Sequence, residues 1–193
     1  MTAFKPIFEK VEIDFRFKEF IFHSGINELD EFFYEYSSKF IKNGYSQINI
    51  LRNPETPDIM GFFSLSSSTI RWEESLRIEK ITRYVPGILL GMFAIDKRFR
   101  RKKFGSDLIK KVINIALKFS NEVGCRCIFV DSLIKSETIN FYLNMGFRFV
   151  DIPLGKTILK KLENNEKIVR KTIKMYFDLY KIQRYYTILN FPK

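Results

Sequence analysis

The chain is poor in the residues that bind metals or form covalent staples. It has one histidine, His23, and two cysteines, Cys125 and Cys127. Cysteines two residues apart on an extended segment point the same way, so they form no disulfide framework and read as reduced thiols. With a single histidine in the chain, no zinc site is expected and no metal is assigned. Long apolar runs are missing too. The longest, "VPGILLGMFAI" from Val85 to Ile95, falls short of the roughly 20 residues a membrane span needs and reads as a buried strand. Met1–Pro6 lacks the charged-then-apolar order of a signal peptide, and Asp14, Arg16, Lys18 and Glu19 break up the next stretch. The sequence therefore reads as a cytoplasmic protein with no membrane partner. No internal repeat, low-complexity tract or clear linker divides it.

What is present is apolar and basic. Of 193 residues, 46% are hydrophobic and 16% aromatic, with 21 phenylalanines. That is enough apolar surface for one domain with a real core and excludes overall disorder. The formal net charge is +11, which favours anionic partners such as nucleic acid or a phosphorylated cofactor and says nothing about fold.

The pattern along the chain alternates helices and strands. Asn27 reads as a helix N-cap with Asp30 three residues on. Leu29, Phe32, Phe33, Tyr36 and Phe40 then keep helical spacing up to the stop signal Asn43-Gly44. Gln47–Arg52 and Ile59–Ile70 read as a hairpin around the turn-rich "NPETPD". Arg71–Tyr84 is mixed in character, and Pro86 opens an apolar strand, Gly87–Ile95. A helix comes next, with Leu108, Ile109, Val112, Ile113, Ala116 and Leu117 on one face and Lys110, Lys111 and Lys118 on the other. Cys127–Leu133 is a strand, Ser136 caps a helix that ends before Gly146, and Phe147–Ile152 is a strand. Gly155–Asn165 reads as a short basic helix. Arg170–Ile182 alternates with period two, Ile173, Met175, Phe177 and Leu179 against Thr172, Lys174, Tyr176 and Asp178, which marks a half-buried strand. The order implies an α/β or α+β fold with a mixed sheet.

The stretch "RFRRKKFGSDLIKKVI" from Arg98 joins a strand to a helix through a basic, glycine-containing turn. Amides in the first turn of a helix have no intrahelical partners, and the helix dipole adds about half a positive charge there. A glycine lets the backbone come close to a ligand. Phe104, Gly105 and Ser106 would stand at that terminus, with Arg100, Arg101, Lys102 and Lys103 crowding the turn. A pyrophosphate suits such a site because it can use amides and cations together. The spacing matches neither a Walker loop nor GxGxxG.

"LGMFAIDKRFRRKKFGSDLI" resembles motif A of the GNAT N-acetyltransferases: an Arg or Gln, two residues, Gly, one residue, then Gly or Ala, after a strand ending in an aliphatic–Asp pair. Arg100 fills the first place, Gly105 the last, and Ile95-Asp96 ends the strand. Lys103 replaces the central glycine, which costs strain if a positive φ is needed there. "FYLNMGF", Phe141–Phe147, is similar to the family's Phe-Tyr-x-x-x-Gly-Phe, with Tyr142 at the acid position. "FHSGINELDEF" and "GFFSLSS" are similar to segments of the GNAT branch that includes tRNA-acetylating toxins. Met92–Asp96 and the long segment Pro153–Val169 depart from that branch.

The resemblance implies a GNAT fold: a mixed, mostly antiparallel central sheet flanked by helices, with an extra helix before the last strand. It implies a single domain, 1–193, with an N-terminal half to about 86, an acetyl-CoA-binding half over about 87–152 and a C-terminal helix and strand over about 153–193. It implies acetyl-CoA as cofactor, with CoA as product. The pantetheine arm would lie along Phe93, Ala94 and Ile95, the pyrophosphate on Arg100–Ser106, and Asn140 beside the cofactor. Tyr142 would protonate the departing thiolate; on pattern alone it would be a core tyrosine, and Arg98–Lys103 a solvated turn.

The strand Gly87–Ile95 carries no Asp or Glu. A lysine amine, with a pKa near 10.4, would be hard to deprotonate without a base, whereas an α-amine near 7.7–8 is already partly neutral. Glu73, Glu74 or Glu79 could still act through water. The missing carboxylate and the positive charge lean toward an aminoacyl-tRNA as acceptor. Two alternatives stay open: acetylation of a small-molecule or protein amine, and a catalytically degenerate RNA- or partner-binding protein. An antitoxin protein and a second copy of the chain are the remaining candidate partners. Tyr45, Tyr185 and Tyr186 beside cations read as partly buried surface residues, and His23 as a loop histidine.

Overall fold

The computed structural model describes residues 4–71, 84–180 and 182. The chain forms two compact units. The first holds the chain up to Ser66 together with Leu90–Val112, and the second holds Ser67–Leu89 and everything from Ile113 onward. Among the described residues, no helix is long and apolar enough to cross a membrane.

In the first unit, β1 (Ile7–Lys10) pairs antiparallel with β2 (Gln47–Arg52), and β2 with β3 (Ile59–Arg71). The hairpin expected around Asn53–Asp58 is there, with Ile50 opposite Phe62. The order continues to β4 (Tyr84–Ile95). That strand already includes Tyr84 and Val85, ahead of Pro86.

Between β1 and β2, α1 (Asn27–Glu31) passes through a π-helical turn, Phe32–Tyr36, into α2 (Ser37–Lys42). Both the backbone N–H of Ser37 and its hydroxyl, 3.1 Å away, bond the Phe32 carbonyl. Gly44 ends the helix at φ +69°, a conformation that suits glycine. Asn27 is not the N-cap. It is the first helical residue, because the Asp30 carboxylate turns outward to the Ser24 N–H (2.7 Å) and hydroxyl (2.5 Å). The core of this unit is aromatic. Phe33 and Phe62 have ring centroids 5.1 Å apart, and Phe22 sits 4.8 and 5.2 Å from them.

The second unit begins with the far end of β3 and the near end of β4. Its strand order is β4, β5 (Cys127–Leu133), β7 (Thr172–Asp178), β6 (Arg148–Phe149). β7 pairs antiparallel with both β5 and β6, so the C-terminal strand is interior to the sheet. That placement explains Tyr176. It belongs to the set expected to face out, yet it is buried with Cys127, Phe129 and Val150.

α3 (Phe104–Glu122) runs from one unit into the other, and α4 (Ser136–Asn144) precedes β6. Ser136 does not cap α4: Lys135 is the extended residue before the helix, and no side chain caps it. The strand expected over Phe147–Ile152 shrinks to two residues. Phe147 turns inward against Tyr142, and the Asp151 carboxylate caps α5 (Ile152–Glu163) by accepting from Leu154 N–H at 2.9 Å. The basic helix therefore begins three residues before Gly155, with Pro153 in its first turn.

Candidate functional site

The end of β4 is organised by one carboxylate. Asp96 is fully buried. It accepts from the His23 N–H at 2.8 Å and from the Arg98 N–H at 2.9 Å. It also takes a two-point contact from the Arg98 guanidinium, Nε at 2.9 Å and Nη2 at 2.8 Å. Arg98 Nη1 reaches Asp58 at 2.7 Å. The backbone repeats the connection: Asp96 N–H donates to the Met60 carbonyl at 3.0 Å and Lys97 N–H to the His23 carbonyl at 2.9 Å. Burial alone would raise the Asp96 pKa, but the bonds from Arg98 and His23 outweigh it and hold the carboxyl below the usual range. Arg98 is raised in turn, chiefly by Asp96. Of the five cations in the motif, Arg98 is therefore a structural anchor.

The turn after this anchor exposes the other four. Arg100 donates to the Ser24 carbonyl. Lys102 Nζ lies 5.4 Å over the Phe99 ring, on the same ring that Arg98 covers at 5.2 Å. Arg101 and Lys103 both have left-handed backbones, at φ 60° and 68°. The strain expected at Lys103 is therefore present: the lysine adopts the geometry that a glycine takes without cost. α3 starts directly afterwards. Asp107 N–H closes its first bond to the Lys103 carbonyl at 3.1 Å, so the amides of Phe104, Gly105 and Ser106 precede the intrahelical ladder. These three residues are partly buried, and Arg100–Lys103 are exposed.

Phe93, Ala94 and Ile95 lie at the end of β4, in the same unit as the turn. Ala94 is buried and its two neighbours are half-buried. The backbone of β4 fits closely on β3 here. A Cβ at Gly61 would stand 2.8 Å from the Ala94 carbonyl and 2.6 Å from the Ile95 side chain.

Tyr142 and Asn140 belong to the second unit, on α4. Asn140 is exposed. Tyr142 is 4% exposed, with Phe141 and Phe147 ring centroids 5.3 and 5.2 Å from its own. Burial pushes the phenol well above its ordinary pKa. Phe147 N–H bonds the Tyr142 carbonyl at 3.0 Å across the left-handed Gly146, fixing the helix end that carries the ring. The cysteines are free and buried. Burial pushes the Cys127 thiol up to about 12, which leaves it unreactive.

Sequence reasoning missed the frame behind the turn: Asp96 as hub, Asp58 as second partner of Arg98, and the Ser24–Asp30 pair with His23 Nδ1 2.5 Å from Asp30. The aliphatic–Asp pair ending the strand was the one available signal. Glu73, Glu74, Glu79, Tyr185 and Tyr186 lie outside the described residues. Among the described residues, no group of three or more His, Cys, Asp and Glu side chains is placed to hold a metal ion.

The family model for "Acetyltransferase (GNAT) domain" matches residues 61–149, from β3 through β6. The chain is 22% identical over 137 residues to a probable toxin TacT of Sinorhizobium fredii, covering 66% of this chain and 76% of the relative. It is 27% identical over 106 residues to a tRNA-acetylating toxin of Mycobacterium tuberculosis, covering 53% of this chain and 63% of the relative. The fold matches that of a tyrosine-to-phenylalanine mutant of the toxin AtaT, bound to acetyl-CoA and the C-terminus of the antitoxin AtaR. The TM-score is 0.69 at 20% identity, with 94% of this chain and 98% of that one covered.

Proposed function

We propose that this chain is a GNAT N-acetyltransferase, the family whose domain matches its residues 61–149, and that it acetylates the α-amine of an aminoacyl-tRNA. The observation that carries the reading is the turn Arg100–Ser106, where exposed cations and partner-free amides meet at the start of α3. Acetyl-CoA, when bound, supplies the acetyl thioester. The residues present fit its pyrophosphate: amides of Phe104, Gly105 and Ser106, and the side chains of Arg101, Lys102 and Lys103. Arg100 spends one donor on Ser24 and keeps the rest of its guanidinium for a phosphate. Backbone groups of Phe93 and Ile95, flanking Ala94, would hold the pantetheine arm, and Asn140 would meet the cofactor from α4.

Tyr142 holds the proton for the leaving sulfur. Burial raises a phenol, and it raises a thiol too, as Cys127 illustrates in this same chain. The proton is therefore divided between two groups that both avoid charge, and Tyr142 stays protonated until sulfur needs it. The carboxylate-free strand Gly87–Ile95 suits an amine that is already partly neutral, as an α-amine is. The tRNA-acetylating relative supports the tRNA acceptor, and AtaT supports an antitoxin as protein partner. The non-catalytic alternative rested on Lys103; the turn keeps its exposed cations with lysine in that place, which supports the catalytic reading.

The test is incubation with labelled acetyl-CoA and total aminoacylated tRNA, beside a panel of free amines. Label is expected in the tRNA fraction, on the aminoacyl group. Label on a free amine alone would overturn the tRNA assignment and leave the acetyltransferase standing.

A further inference from the structure

Several cations next to the sheet are paired: Arg52 with Glu9, Arg126 with Asp178, Lys174 with Asp131. The segment 156–171, α5 and the loop after it, carries six cations against two carboxylates. Among the described residues, none of Lys156, Lys160, Lys161, Lys167, Arg170 and Lys171 has a carboxylate partner. All but the half-buried Lys161 are exposed.

The helix is fixed so that this face must point out. Gly155 and Ile158 are buried, and a Cβ on Gly155 would stand 2.3 Å from the Phe149 ring. Lys156 and Lys160, four residues apart, then share the opposite side. Like charges this close repel and lower helix stability by a few tenths of a kcal/mol, a cost that is kept only if something offsets it.

We infer that α5 and the 164–171 loop form the surface that grips the phosphate backbone of the tRNA; this rests on the aminoacyl-tRNA reading above. An acidic protein is the less favoured occupant. Lysine is depleted at the centre of protein–protein interfaces, which need apolar anchors, and in this stretch the large exposed apolar residues are only Ile152 and Val169. Unpaired lysines and arginines without apolar neighbours suit phosphates, whose binding is sequence-independent and dominated by charge. The second unit would thus hold its substrate by the body while the amine is presented elsewhere.

The experiment measures binding of a deacylated tRNA mixture to the full chain across a salt series. The variant replaces Lys156, Lys160, Arg170 and Lys171 with glutamine; a milder one carries only Lys156→Gln and Lys160→Gln. The control carries Lys5→Gln and Lys42→Gln, two exposed lysines of the first unit. The quadruple variant is expected to bind about 10-fold or more weakly, with the log–log salt slope shallower by about 2. The control should match the parent chain, and stabilisation of both by acetyl-CoA should persist. Unchanged affinity and slope, or an equal loss in the control, would overturn the surface. So would binding of polyglutamate but not tRNA by the parent chain, which would mark an acidic protein as the occupant. If the parent binds tRNA through these residues yet never acetylates it, the surface stands and the proposed reaction falls.

Discussion

Asp96 and Arg98 are two residues apart and joined three times: through the Arg98 N–H at 2.9 Å and through Nε and Nη2 at 2.9 and 2.8 Å. The pair folds the chain back at the end of β4 and sets where the next turn begins. Asp96→Asn keeps the shape but loses the charge that Arg98 answers, and is expected to cost about 1–3 kcal/mol of stability. It should also weaken acetyl-CoA binding, because the turn loses its anchor. The pH dependence has a definite sign. The folded carboxyl is depressed below its ordinary value of 3.8. Its contribution is complete above the unfolded pKa and is lost as pH falls through the folded one. Thermal melts below about pH 4 should therefore fall more steeply for the parent than for Asp96→Asn. Parallel curves would show that the carboxylate is not the linked group.

Lys103 sits at φ 68° where the family pattern has glycine. A left-handed L-residue costs roughly 1–2 kcal/mol, and glycine returns about half of that through its freer unfolded chain. Lys103→Gly is expected to raise stability by about 0–1 kcal/mol and to change acetyl-CoA affinity only a few-fold, since one of several cations is lost. Melting temperature and a binding isotherm check this. A clear loss of stability would mean that the lysine side chain holds the turn by a contact worth more than its strain.

The elements that carry the proposed site were legible in advance because their signals are local. The glycine-containing turn, the apolar face of α3 and the Phe-Tyr…Gly-Phe run are short-range patterns, and each element stands where its pattern placed it. The Asp96 hub was not legible, because His23, which donates to Asp96, and Asp58, which pairs with Arg98, come from far along the chain. The cap expected at Asn27 failed for a local reason: Asp30 bonds Ser24, six residues before it, rather than its own helix. Period-two reasoning placed β7 in the sheet but misassigned Tyr176, because it assumed one wet face, whereas Tyr176 packs with Val150 and Phe129.

Tyr142→Phe removes one oxygen from a buried ring held between Phe141 and Phe147. The fold and acetyl-CoA affinity should survive, while kcat should fall about 10²- to 10⁴-fold. Expression of the parent chain is expected to arrest growth, and this variant to relieve the arrest. The phenol lies well above its ordinary pKa, so it keeps its proton across neutral pH. Any alkaline or acid limb of kcat near neutrality must then belong to another group, and should have the same midpoint in the residual activity of the variant. A midpoint that vanishes with the hydroxyl would assign the limb to Tyr142 and contradict its raised pKa.

Gly155 decides how close α5 lies to β6. Replacing it with alanine gains about 1 kcal/mol of helix propensity, so an exposed site would be stabilised. Here the new methyl would stand 2.3 Å from Cγ and Cδ2 of Phe149, and 2.9 Å from its Cβ. The ring is buried and joined to β7 through the backbone pairing of Phe149 with Met175, so it has little room to withdraw. Overpacking of this kind costs about 1–3 kcal/mol, and the helix must shift outward to relieve it. Gly155→Ala is therefore expected to destabilise by about 0–2 kcal/mol net, read from urea unfolding. Gly155→Ala with Phe149→Leu should recover part of that loss, because the branched side chain vacates the ring edge. If the single variant were more stable than the parent, α5 would not be seated on Phe149, and the outward presentation of Lys156 and Lys160 would lose its structural basis.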